Sequence, residues 1–316
     1  MNTIDNNNNL FKKRYHWIKF IAKVILILVA IFAIIFFSVF IYKKYSKSRI
    51  TIKTIQKDWE SFDYLSVYEH GKQFLQNDAF NNTALTYYGY SCFFLSQSQN
   101  DTSQAQTYLD ECINNLRIAL YSANSNLLPQ LQYMLGIAYF YKNTISTHYY
   151  SDLAIKYLTL AKQNGYQSDD ISEYLGLSYA SLGLTVESIS SFTEALLIRE
   201  SDSLLLSIAK QYYILKEYSV AKQYLYRIIN NSLNDEMIIQ SENVLGSILI
   251  DEEDYNGAFE EFNKALQKNS NSADAHYGIG IVYEKQGNLI KARSEWRQVL
   301  KIQVNHAGAL KKLSDK

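Results

Sequence analysis

An all-α fold is predicted for this chain: one N-terminal transmembrane helix, then an α-solenoid of about six or seven helix–turn–helix units. Three observations predict it. One Pro and 12 Gly in 316 residues leave few chain breakers and exclude collagen-like and proline-rich folds. Residues 24–42 form an almost unbroken apolar run. Beyond residue 53, small and large apolar residues recur with a period near 34, the mark of a repeat array.

The segments follow in order. Residues 1–23 are a basic tail. Residues 24–42 (VILILVAIFAIIFFSVFIY) contain one weakly polar side chain, Ser38. As a helix these 19 residues span about 28 Å, close to the hydrocarbon thickness of a bilayer. Trp17, Phe20 and Tyr42 stand where interfacial aromatics belong. A signal peptide has a shorter apolar stretch and a small-residue cleavage site, whereas this run leads straight into Lys43-Lys44. A retained single-pass helix is therefore expected, with 43–53 as a basic juxtamembrane linker. The flanks carry five and six basic residues, so charge does not separate the two sides. A short basic N-terminus usually stays in the cytoplasm, which places the solenoid across the membrane.

Charge is split along the chain. Residues 1–53 hold ten Lys/Arg against Asp5 alone, so they carry +9 and the remainder −9. Phosphate recognition needs a basic footprint, so no nucleic-acid partner is expected. Two Cys exclude a disulfide-rich scaffold and a four-cysteine zinc site.

Within 54–316 the repeat is read by superposition. Ile239–Ser272 lies over Ala273–His306 without a gap, pairing Leu245-Gly246 with Ile279-Gly280, Ala258 with Ala292 and Phe262 with Trp296. Upstream, Leu175-Gly176, Tyr179, Ser188 and Phe192 continue the frame, as do Ile208-Ala209, Tyr212, Ala221 and Leu225, and Leu135-Gly136, Tyr139, Ala154 and Leu158. The small residue of each second helix recurs at 154, 188, 221, 258 and 292. Small residues let two antiparallel helices approach, and large ones fill the gap to the neighbour. The units fall near 54–80, 82–115, 129–162, 169–200, 202–232, 239–272 and 273–306, with 307–316 a basic capping stub. In the second unit a lengthened inter-helix turn is expected, and in the third about six extra residues between the helices, near 143–149.

This pattern resembles the tetratricopeptide repeat, a family of 34-residue helix–turn–helix units. The usual Pro between repeats is missing, and Gly71 stands where a large apolar residue belongs. The resemblance implies a right-handed superhelix, with first helices lining a concave face that binds protein partners. It also resembles, in layout alone, small bacterial inner-membrane repeat proteins that assist translocation, envelope assembly or cell-wall synthesis. A bacterial inner-membrane location is expected from that layout and the Asn-, Ile-, Tyr- and Lys-heavy composition.

No catalytic constellation stands out, and no enzyme activity, metal or cofactor is expected. There is no HExxH and no phosphate-binding GxxxxGK[ST] loop. Gly278-Ile279-Gly280 reads as helix packing, since a nucleotide fingerprint needs a preceding strand. Asp251-Glu252-Glu253-Asp254 reads as a solvated turn without calcium-loop spacing. Cys92 and Cys112 read as buried thiols, or as a bridge if the solenoid lies in an oxidising compartment. The cluster His148-Tyr149-Tyr150 offers a candidate base with no recognisable nucleophile or orienting partner in sequence.

Function therefore falls to the concave face. The frame places there Thr86, Tyr90 and Phe93; Tyr133, Ile137 and Phe140; and Glu173, Leu177 and Ala180. Leu206, Lys210 and Tyr213 follow, then Asn243, Ser247 and Ile250, and Tyr277, Ile281 and Glu284. Tyr90, Phe93, Tyr133, Ile137, Phe140, Leu177, Leu206, Lys210, Tyr213, Tyr277 and Ile281 are the expected partner contacts. The Lys/Asn pairs with which chaperone-binding members hold a C-terminal carboxylate are not in those places. The surface reads as aromatic and aliphatic near the membrane, more polar towards the C-terminus, and suited to an apolar helix or an extended peptide. The competing reading is that its aromatics pack against neighbouring helices. A scaffold facing the cytoplasm and a self-associating structural protein are the rival functions.

Overall fold

The computed structural model describes residues 23, 28–41 and 50–314. Residues 28–41 form a helix, α1, exposed along its whole length. Among the described residues no helix is long and apolar enough to cross a membrane. The ends of the predicted span (24–27 and Tyr42), residues 1–22 and residues 43–49 lie outside the described residues.

From Ile50 onward the chain is a line of antiparallel hairpins. They are α2 (Ile52–Glu60) with α3 (Tyr64–Leu75), α4 (Asn82–Gln97) with α5 (Thr102–Tyr121), and α6 (Leu128–Ile145) with α7 (Ser151–Gln163). Then come α8 (Ile171–Ser181) with α9 (Thr185–Ile198), and α10 (Asp202–Ile214) with α11 (Tyr218–Asn231). Last are α12 (Asp235–Asp251) with α13 (Tyr255–Lys268), α14 (Ala273–Lys285) with α15 (Leu289–Ile302), and the cap α16 (Ala307–Ser314). Each second helix packs on the next hairpin's first helix, and first helices also touch the next first helix, from α2–α4 to α12–α14. No second helix packs on the next second helix to that extent, so the first helices line the inner side of the curve.

Side-chain caps do the work of the missing prolines. Asn81, Ser201, Asn234 and Ser272 accept backbone N–H bonds at the starts of α4, α10, α12 and α14, satisfying donors that the first turn leaves open. The single Pro129 sits in the first turn of α6, where its missing N–H costs nothing. Inside the hairpins the short turn repeats a left-handed residue, at Phe62, Gly183, Lys216, Glu253 and Gly287.

Helix approach depends on the glycines that the repeat frame singled out. A Cβ on Gly246 would stand 2.7 Å from Phe262 Cζ, and one on Gly136 2.6 Å from Leu158 Cγ. Gly71 is buried because the Tyr88 ring, 3.1 Å from where its Cβ would be, fills the space intended for a larger side chain. Two length expectations are corrected. In the second unit the turn is short, and the extra residues extend α4 to Gln97 and α5 to Tyr121. In the third they are shared between α6, which runs to Ile145, and a loop fixed by Tyr150 N–H donating to Asn143 Oδ1 at 2.7 Å.

Candidate functional site

The inner face differs along its length. From α4 to α8 the expected contact residues are largely packed. Phe93 and Ile137 are 8% and 4% exposed and belong to one continuous core running from Leu85 to Leu175. Leu206, on α10, is 4% exposed and joins the next core. These three are core residues, which corrects their placement on the binding surface. Tyr133 is half-buried: its hydroxyl donates to both carboxylate oxygens of Asp170 at 2.8 Å, and its ring stacks on Tyr166 at 4.4 Å. Phe140 meets Tyr174 edge to face at 4.9 Å. Leu177 packs against the core around Phe192. Aromatics in this stretch bridge one first helix to the next, which fills the groove they were expected to line.

A cleft of about 280 Å³ remains beyond them, among α2, α4 and the start of α6, lined by Trp59, Thr86, Tyr87, Tyr90, Leu127 and Gln130. Its rings already contact one another, with Trp59 5.6 Å from Tyr87 and 5.9 Å from Tyr90.

The second cleft, about 250 Å³, runs across α10, α12 and α14. It brings together four predicted contacts, Lys210, Tyr213, Tyr277 and Ile281, with Asn243, Ser247 and Ile250 from the same face. Val244, Phe262 and Gly278 complete an apolar floor, and Gln240 and Asp274 add polar edges. Gln240, Val244 and Asp274 went unassigned by the repeat frame, although Gln240 and Asp274 lie one turn before Asn243 and Tyr277.

Asn243 decides the chemistry of this cleft. It is 8% exposed, and its Nδ2 donates to Ser272 Oγ at 3.4 Å. Its Oδ1 is buried and has no hydrogen-bond partner among the described residues. An unpaired buried carbonyl oxygen costs about 1–3 kcal/mol, which a donor reaching Asn243 Oδ1 would recover. Lys210 reaches Gln240 Oε1 at 3.5 Å and otherwise faces solvent. Burial, with Asp251 nearby, holds the Tyr213 hydroxyl neutral, its pKa pushed up to about 12. The groove thus offers a cation at one edge, a carboxylate at the other, a buried acceptor and an apolar floor.

Other chemical candidates resolve into structure. Cys92 and Cys112 are free and buried, and burial pushes both thiols up. Asp254 caps α13, Glu252 pairs with Lys222 at 2.8 Å and Asp251 accepts from Tyr218 at 3.1 Å, while Glu253 is exposed at the left-handed position of the turn. Gly278 and Gly280 lie inside α14 against Phe262 and Trp296. His148 and Tyr149 are exposed on the α6–α7 loop. Among the described residues no group of three or more His, Cys, Asp or Glu side chains could hold a metal ion.

A family model described as "TPR repeat" matches residues 246–287, the α12–α13 and α13–α14 junctions beneath this cleft. No curated protein matches the chain. Among solved structures, the chain is similar to the C-terminal part of a TPR repeat-containing protein from Cytophaga hutchinsonii. That likeness has 13% identity and a TM-score of 0.57, covering 83% of this chain and 99% of the other. It is also similar to a chain of the APC/C hetero-tetramer Cut9–Hcn1 at 15% identity and a TM-score of 0.52, covering 82% and 47%. YrrB, a TPR protein with an unusual peptide-binding site, aligns at 19% identity and a TM-score of 0.44, covering 62% and 96%. At these identities the likeness concerns the fold, and the fold of this chain is that of a tetratricopeptide-repeat solenoid.

Proposed function

We propose that this chain is a membrane-tethered scaffold that holds an extended segment of a partner protein in the groove across α10, α12 and α14. The observation that carries the proposal is Asn243, which lines this cleft with Val244, Phe262 and Gly278 and whose buried Oδ1 has no partner among the described residues. An extended peptide brings free backbone N–H groups to such an acceptor. A guest helix does not, because its N–H groups are bonded internally. Lys210 and Asp274 favour a guest with side chains of both signs.

The tether is the run 24–42. Its described part, α1, is apolar on every side and exposed throughout, with Phe32 at 71% and Ile34 at 66%. A helix apolar all round needs an apolar medium. Such a tether raises the local concentration of scaffold and guest without a new contact. The work proposed is envelope assembly, secretion or client holding on the outer side of a bacterial inner membrane. With near-equal basic flanks, a cytoplasm-facing scaffold with the same groove is the second reading.

The test is recovery of partners by the full-length protein from detergent-solubilised membranes. Asn243→Ala is expected to lose most of the bound chain while melting is nearly unchanged. Undiminished recovery by this variant, with loss in Tyr90→Ala, would move the site to the cleft beside Trp59. A concentration-dependent homo-oligomer with no other bound chain would replace the scaffold by self-association. Protease digestion of the solenoid with the inner membrane sealed supports the outward orientation, and protection reverses it.

A further inference from the structure

We infer that the edge of the first two hairpins bearing Phe80, Arg117 and Tyr121 docks on the anionic headgroup layer of the bilayer that holds the tether. The inference rests on the membrane reading above and adds a second, peripheral contact to it. Phe80, Asn114, Arg117, Ile118, Tyr121 and Ser122 line an open hollow of about 760 Å³. The two rings at its rim are almost free of the protein: Phe80 is 78% and Tyr121 96% exposed. Exposed aromatics flanking a cation are the side chains that settle at a membrane–water interface. Arg117 is exposed and lies beside the Tyr139 hydroxyl, an uncharged partner, and among the described residues it makes no ion pair, so no carboxylate competes with a phosphate group for it.

The position of this edge selects the occupant. Asn82 ties it together, donating to Ala119 O at 2.8 Å and to Ser122 Oγ at 3.0 Å. The chain enters the solenoid at the same edge, where Ile50, Thr51 and Ile52 share a hollow with Phe74, Asn77 and Asp78. Only nine residue steps separate Ile50 from Ile41 at the end of α1, about 30 Å at full stretch. That stretch carries Lys43, Lys44, Lys47 and Arg49 and no acidic residue. Asp78, the nearest acid on the α3–α4 loop, accepts from Asn81 Nδ2 at 3.0 Å. The basic residues that precede Ile50 in sequence and the aromatic rim with Arg117 both complement an anionic leaflet.

The test uses the full chain in phosphatidylcholine–phosphatidylglycerol vesicles, with an environment-sensitive label on Phe80→Cys, Tyr121→Cys or, at the opposite edge, Leu184→Cys. Cys92 and Cys112 are buried and escape labelling. A lipid-borne quencher is expected to dim the labels at 80 and 121 and to spare the one at 184. Adding Arg117→Gln should lower the docked-to-free ratio at 121 about fivefold, the effect of one basic residue at such a surface. Flotation of the chain with the vesicles, but equal quenching at all three sites, overturns the docking and leaves the tether intact. Failure to float overturns the tether and the docking together. Protection of 80 and 121 that requires an added soluble protein also overturns the lipid assignment.

Discussion

Between α4 and α8 the inner face of the solenoid is filled; between α10 and α14 it is open. The difference follows from where each stretch keeps its aromatic rings. In the α4/α5 and α6/α7 hairpins the close-packing glycines Gly89 and Gly136 face Leu116 and Leu158. The inner-face rings there sit on first helices: Phe140, Tyr141 and Tyr174 meet one another, and Tyr133 stacks on Tyr166 of the α7–α8 connection. In α8/α9, α12/α13 and α14/α15 the corresponding glycines face Phe192, Phe262 and Trp296. Those rings lie between the helices of a hairpin, and on α12 the inner face is left to Asn243, Ser247 and Ile250. One repeat frame thus accommodates a packed spine, where first-helix rings meet one another, or a groove, where the rings of Tyr213 and Tyr277 are separated by the ringless helix α12.

The largest effects should separate the two stretches. Tyr133→Ala and Phe140→Ala each remove a half-buried ring and its bridging contacts, and should cost about 3 kcal/mol in urea unfolding. Asn243→Ala, on the open stretch, removes only a weak bond to Ser272 and an unpaired oxygen, so its cost should stay below about 1 kcal/mol. Equal costs would mean that the open stretch is packed as tightly as the filled one. Next in size are the hairpin glycines. Gly246→Ala drives a methyl against the rigid Phe262 ring and should cost about 2 kcal/mol net of the gain in helix propensity. Gly89→Ala meets Leu116, which can rotate, and should cost about half as much. A reversed order would remove the distinction between ring-packed and leucine-packed hairpins.

Much of this architecture is legible in the sequence. The glycine and alanine spacing identifies the close contacts, because a Cβ at those points has no room. Asn243, Ser247 and Ile250 fall on the inner face by counting from Gly246. What the sequence hides is whether an inner-face ring is open or packed. Phe93, Ile137 and Leu206 have the right helical phase, yet their burial depends on a third helix in the next unit, and the single-unit frame carries no information about it. Gln240 and Asp274 were within reach, one turn along a face already identified. Phe80 and Tyr121 lie at the ends of elements, where no periodicity marks them.

A smaller effect tests the shared hairpin turn. Gly183 and Glu253 occupy the same left-handed position, at φ of 72° and 63°. Gly183→Ala should cost about 1 kcal/mol, and Glu253→Gly should be neutral or slightly stabilising, since a side chain is strained there. Both can be read as shifts in melting temperature. A lower melting temperature for the first with no loss for the second would show that the turn obeys one backbone rule in both stretches, and a clear loss for Glu253→Gly would break it.

The smallest effect concerns the polarity that the open stretch buries. The buried polar atoms without partners among the described residues are Gln211 Oε1, Glu242 Oε2, Asn243 Oδ1 and Trp296 Nε1, all at or beyond α10. Glu242 is 3% exposed, and burial raises its pKa above the ordinary 4.5. Its possible cations are taken, Lys264 by Glu261 at 2.6 Å and Lys268 by Asp235 at 3.3 Å. With the folded pKa above the unfolded one, the native state holds more protons in the interval between them. Stability therefore falls as pH rises through that interval and stays lower above it. Glu242→Gln carries no charge to desolvate, so it should melt higher than the parent at pH 7 and close to it at pH 4. A parent whose stability rises through this range, with no gain from the substitution, would show that Glu242 finds a partner in solution. The open stretch would then be as fully satisfied as the filled one.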